Sequence, residues 1–157
     1  MKALIVYRIL SFVVNFFCLL IALEILMSFP VIFSNPSFLL PFFLMVALIL
    51  YGWFSNIYFK RVYVLKTAVT KKLKDWVQVN AIVTLLFCLI LAAETIVIYQ
   101  KPQLFLDALK NFSGSYPLTA DIVKQTMLLL SIFALIILAH VIWTLALIRK
   151  NRHLIEG

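Results

Sequence analysis

Four long apolar runs dominate this chain. They cover residues 7–29, 38–59, 76–99 and 127–148, and most of the charged residues gather between and beyond them. A helix needs roughly 20 apolar residues, at about 1.5 Å each, to cross a hydrocarbon layer of about 30 Å. Each run meets that length, so the pattern predicts four transmembrane helices. Pro30 is expected to stop the first, Lys60-Arg61 to stop the second and Arg149-Lys150 to close the fourth. The first run is too long for the apolar core of a signal peptide, and no small-x-small cleavage site follows it. It therefore reads as a retained span.

The intervals carry their own signals. Pro30 to Ser37, with Pro30, Asn35 and Pro36, reads as a tight hairpin turn. The interval from Gln100 to Gln125 is longer. Within it Pro102 to Phe112 is apolar enough on one side to predict a short helix at the membrane interface. Ser113-Gly114-Ser115-Tyr116-Pro117 is expected to break that helix. Thr119 then makes an N-cap for the fourth span, with Asp121 in its first turn.

Composition agrees with membrane burial. Of the 157 residues, 65% are hydrophobic and 13% charged, with a mean hydropathy of +1.10. A soluble domain carries about 25% charged residues. The net charge of +8 would suggest nucleic acid in a soluble protein. Here no recognition module accompanies it, and no nucleic-acid role is expected.

The placement of the basic residues accounts for the charge instead. Lys2, Arg8, Lys60, Arg61, Lys66, Lys71, Lys72, Lys74, Arg149, Lys150 and Arg152 belong to the two termini and the middle loop. Only Lys101, Lys110 and Lys124 belong to the other two intervals. This bias predicts that both termini are cytoplasmic, in what we read as a bacterial inner (plasma) membrane. Trp53, Trp76, Trp143, Tyr58 and Tyr99 lie toward span ends, as interfacial aromatics do. Lys60, Arg61, Lys66, Lys71, Lys72 and Lys74 face a single acid, Asp75. They are expected to contact anionic headgroups, at about 1 kcal/mol per basic residue.

A short segment occurs twice. Phe17-Cys18-Leu19-Leu20-Ile21-Ala22-Leu23-Glu24 returns as Phe87-Cys88-Leu89-Ile90-Leu91-Ala92-Ala93-Glu94. Leu48, Trp53 and Lys60 recur more weakly as Leu138, Trp143 and Lys150. The expected fold class is therefore all-α, an integral membrane four-helix antiparallel bundle in one domain, built as a tandem repeat of two helical hairpins. Cys18 and Cys88 sit mid-span, outside any CxxC arrangement, and are expected to act as small apolar residues.

Polar groups within the spans are the candidates for function, because lipid offers them no hydrogen bonds. Glu24 and Glu94 each end one copy of the repeated segment, roughly 7–8 Å from the outer end of their spans. Two carboxylates close together in low dielectric cannot both ionise cheaply. As a pair they would share a proton or bind a cation. Asn80, Thr84, Glu94 and Thr95 fall within about 100° of arc, which predicts that Glu94 faces inward. Glu24 lies about 180° around its helix from Asn15 and opposes the polar face of its own span. A second layer, Asn15, Tyr51, Thr84 and His140, takes one residue from each span some 10–14 Å from the inner interface. It reads either as hydrogen-bonded packing or as a step in a proton path through His140.

No Ser/His/Asp set, HExxH, CxxC or glycine-rich phosphate loop is present, and the chain holds three glycines. Neither an enzyme, nor a cofactor, nor a metal site is expected. Two functional classes follow. One is a small membrane helper, subunit or regulator that binds a membrane-protein partner or its own copies. The other is a proton- or cation-coupled carrier using Glu94 and Glu24.

Overall fold

A computed structural model describes residues 2–34, 36–109 and 119–156. The protein is all-α. Its helices are α1 (Lys2–Ser34), α2 (Leu39–Phe59), α3 (Lys71–Gln100), α4 (Pro102–Leu109) and α5 (Ala120–Lys150). Four of them, α1, α2, α3 and α5, are long and apolar enough to cross a membrane. A 3-10 turn, Pro36–Phe38, precedes α2, and a π-helical segment, Lys60–Leu65, follows it.

The boundaries differ from the sequence reading in instructive ways. Helix α1 runs through Pro30 to Ser34. Proline lacks one backbone donor, but a membrane helix tolerates that loss when the chain has no better way to satisfy its remaining polar groups. The third and fourth helices begin five to seven residues before their apolar runs. Charged residues such as Lys71, Lys72, Lys74 and Asp121 end an apolar run without opposing helix formation, so a helix need not begin where its apolar run does. Thr119 caps α5, its Oγ1 accepting from the Ile122 amide at 3.4 Å. The short helix predicted from Pro102 is α4, described as far as Leu109; the rest of the predicted range lies outside the described residues. The break expected at 113–117 lies outside the described residues.

The chain packs as two compact units, Met1–Phe87 with Leu138–Gly157, and Cys88–Ile137. The first holds α1, α2, the opening half of α3 and the closing half of α5. Tyr7 stacks on Phe59 at 4.7 Å, while Cys18 donates to the Leu48 carbonyl at 3.6 Å. Rising numbers on α1 meet falling numbers on α2, so the pair is antiparallel. By the same reasoning α1 is antiparallel to α5, through Tyr7–Thr144 and Ser11–His140. Helices α2 and α5 run parallel, through Tyr51–His140 and Tyr63–Asn151. Phe54 meets Trp76 and joins α2 to α3. This is an up-down four-helix bundle, with Tyr7, Leu48, Tyr51, Val77, Ala81 and Val141 buried at its centre.

One end of this unit collects the basic residues. Val69–Thr70 pairs in parallel with Ile155–Glu156, which ties the start of α3 to the tail after α5. Tyr7, near the start of α1, touches Phe59 and Thr144, near the ends of α2 and α5. Arg8, Lys60, Arg61, Lys66, Lys71, Lys72, Lys74, Arg149, Lys150 and Arg152 therefore share one end. Asn151 reinforces it, donating to the Tyr63 hydroxyl at 2.6 Å and the Leu147 carbonyl at 2.7 Å.

In the second unit Ile98, Val123 and Met127 form a small core against which Phe105 and Leu106 of α4 pack. Ser131 donates to Thr95 Oγ1 at 3.0 Å, and Thr95 donates to the Leu91 carbonyl at 2.8 Å.

Candidate functional site

The polar centre of the first unit is built around His140. On α1, Tyr7 and Ser11 are four residues apart and so lie on one face; His140 and Thr144 repeat that spacing on α5. Tyr51 enters from α2. Ser11 Oγ lies 2.9 Å from His140 Nε2, and the Tyr51 hydroxyl lies 2.7 Å from Nδ1. Tyr51 also reaches Thr144 Oγ1 at 2.9 Å, as does the Tyr7 hydroxyl at 2.9 Å. Thr144 donates to the His140 carbonyl at 2.8 Å. The Tyr7 ring stacks on the imidazole with centroids 4.8 Å apart.

Proton counting shows that this set is complete. A neutral imidazole donates from one nitrogen and accepts at the other. With the proton on Nδ1, His140 donates to Tyr51, Tyr51 and Tyr7 donate to Thr144, and Ser11 donates to Nε2. With the proton on Nε2, the ring donates to Ser11 and accepts from Tyr51, and the Tyr51–Thr144 pair loses its donor because Thr144 donates to the His140 carbonyl. The Nδ1 arrangement alone satisfies every bond of the set. Tyr7, Tyr51, His140 and Thr144 are all buried, while Ser11 is half-buried.

Ser11 leads outward. It lines a cavity of about 350 Å³ with Arg8, Asn15, Asn56 and Lys60 among its walls. A cavity whose walls mix Arg8, Lys60, Asn15 and Asn56 with apolar Phe12, Phe59 and Val64 thus touches the Ser11 end of the His140 chain.

The predicted second layer is reorganised. Tyr51 and His140 are joined directly. Asn15 lies on the cavity wall beside Gly52, where an added Cβ would come within 3.3 Å of its Oδ1. The Thr84 and Tyr58 hydroxyls are buried without a hydrogen-bond partner among the described residues. Tyr7, Ser11 and Thr144 complete the network instead. The repeated four-residue spacing was visible in the sequence. Tyr7, at a span end, and Thr144, among apolar residues, carry no other sequence signal that marks them for the network.

Glu94 does not face the interior. It is exposed, as is Glu24. On α3 the buried stripe holds Val77, Asn80, Ala81, Thr84, Cys88 and Ile98, and Glu94 lies just outside it, about 40° around the helix from Asn80 and Ile98. The arc of polar residues used to orient α3 had Glu94 at its edge, beyond the stripe that packs. Neither acid lines a cavity described here.

The predicted headgroup residues divide among the cavities. Lys60 belongs to the one beside Ser11. Lys71 and Lys74 line one of about 590 Å³ with Arg149 and Arg152. Lys71 and Lys72 line a third, of about 490 Å³, near Trp76. Lys74 Nζ lies 3.1 Å from Asp75. Arg61 and Lys66 are exposed at the loop, where Lys66 takes the left-handed conformation, φ 53°. Among the described residues no cluster of three His, Cys, Asp or Glu side chains could hold a metal ion. Cys18 and Cys88 are free thiols. Comparison with protein-family models, curated proteins and solved structures gives no match.

Proposed function

We propose that this chain is a non-catalytic helper or subunit of another integral membrane protein. The observation that carries this reading is the exposure of Glu94 on an apolar span. A carboxylate directed at lipid is costly. The cost falls if a partner helix supplies a basic or hydrogen-bond-donating side chain at that depth. Exposed Glu24 marks a similar place on α1. The hydroxyl network around His140, by contrast, is satisfied within the chain and asks for nothing from outside. On this reading both termini and residues 60–74 lie in the cytoplasm, and the membrane is a bacterial inner membrane. The bias of basic residues supports that orientation.

A photo-crosslinking residue at Val97, which is exposed one turn from Glu94, tests the proposal in native membranes. A protein adduct of fixed mass that disappears in Glu94→Ala is expected. Lipid adducts alone would refute the partner.

A second reading, a proton-coupled carrier, has the Ser11–His140–Tyr51 chain in its favour. Here His140 would relay the proton, with Glu94 and Glu24 as candidate end points. Proton flux into vesicles that is lost in both His140→Gln and Glu94→Gln would favour it.

The tandem-repeat reading also has structural support. Tyr7, Val14 and Cys18 are buried, and so are Val77, Thr84 and Cys88, each 70 residues on.

A further inference from the structure

The cavity of about 590 Å³ lies between the first turns of α3 and the last turns of α5. Two of its cations come from each wall: Lys71 and Lys74 from α3, Arg149 from α5, and Arg152 just beyond it. Asp75 partly neutralises Lys74 at 3.1 Å. No acidic side chain lines the cavity, and Asp75 offsets one of its four cations. Gln78 and Leu145 lie deeper, about one turn beyond Lys74 and Arg149 on their respective helices. The walls are held in register by the Val69–Ile155 pairing, which joins the segment before α3 to the tail after α5.

From this arrangement we infer that the cavity is a binding site for a lipid headgroup carrying two phosphates. Arginine holds phosphate through paired N–H donors, and lysine adds point charge. Two phosphodiesters match the uncompensated charge better than one. Gln78 can donate to a headgroup or ester oxygen, while Leu145 receives the first methylenes of the chains. The volume lies within the range of small-molecule sites, about 300–1,000 Å³. Basic pockets between transmembrane helices are suited to such headgroups. General attraction of the basic loop to an anionic surface would place no lipid between these two helices in particular.

The test uses the full-length protein in detergent, doped with cardiolipin, a lipid with two phosphates, and read by native mass spectrometry. The native chain is expected to retain one cardiolipin in preference to phosphatidylglycerol. Arg149→Gln with Arg152→Gln should weaken retention roughly 30-fold, and Arg149→Lys with Arg152→Lys should weaken it less. Lys71→Gln with Lys74→Gln, on the opposite wall, gives an independent second variant. Arg61→Gln with Lys66→Gln removes the same charge at the same end, outside the cavity, and should retain the lipid. Equal loss in all the glutamine pairs would overturn the site in favour of diffuse attraction. Displacement of the lipid by submillimolar pyrophosphate would also overturn it, because the site would then serve a soluble phosphate.

Discussion

The Tyr51 hydroxyl stands 2.7 Å from His140 Nδ1 and 2.9 Å from Thr144 Oγ1, and so links two groups on α5 to α2. Tyr51→Phe removes both links and leaves the imidazole with an unmet nitrogen. A loss of about 1–2 kcal/mol is expected, since an unsatisfied buried group costs more than an average membrane hydrogen bond. Thermal unfolding in detergent measures it. Tyr51→Phe and Thr144→Val should be non-additive in a double-mutant cycle; simple addition would show that the two residues do not act as one network.

Gly52 permits the close approach of α2 to α1. A Cβ there would meet Cys18 Sγ at 2.7 Å. Gly52→Ala should destabilise the protein by about 1–3 kcal/mol through overpacking. Cys18→Ala in the same chain should restore much of that. An unchanged melting temperature in Gly52→Ala alone would contradict the contact.

Glu94 makes a different demand. Because it is exposed, Glu94→Ala should alter the stability of the isolated chain by no more than about 0.5 kcal/mol. The same change should abolish recovery of the partner from native membrane. A large stability loss without any change in copurifying proteins would place Glu94 in the packing of the chain and remove the basis of the helper reading.

Topology is open to direct labelling. In a chain with Cys18 and Cys88 replaced by alanine, Thr70→Cys should be shielded from an impermeant maleimide added outside intact cells. Gln103→Cys, exposed on α4, should react. The reverse result would invert the orientation drawn from the basic residues.

The sequence by itself determined the number of spans, their approximate ends and the segregation of basic residues. Each depends on composition along the chain: about 20 apolar residues must become a helix in lipid, because no other structure satisfies their backbone groups. The cap at Thr119 and the short helix after Pro102 were equally local. What the tertiary structure decided was direction around each helix. A span that is apolar on nearly every side does not announce its inner face. Polar arc alone therefore pointed Glu94 inward, whereas the packed helix leaves Glu94 exposed, just outside its buried stripe. The same packing brought Tyr7 and Tyr51 into contact with Thr144, across 137 and 93 residues of chain. It also set Arg149 and Arg152 across from Lys71 and Lys74. Such pairings depend on which helices become neighbours and how each is rotated, and those are properties of the packed bundle.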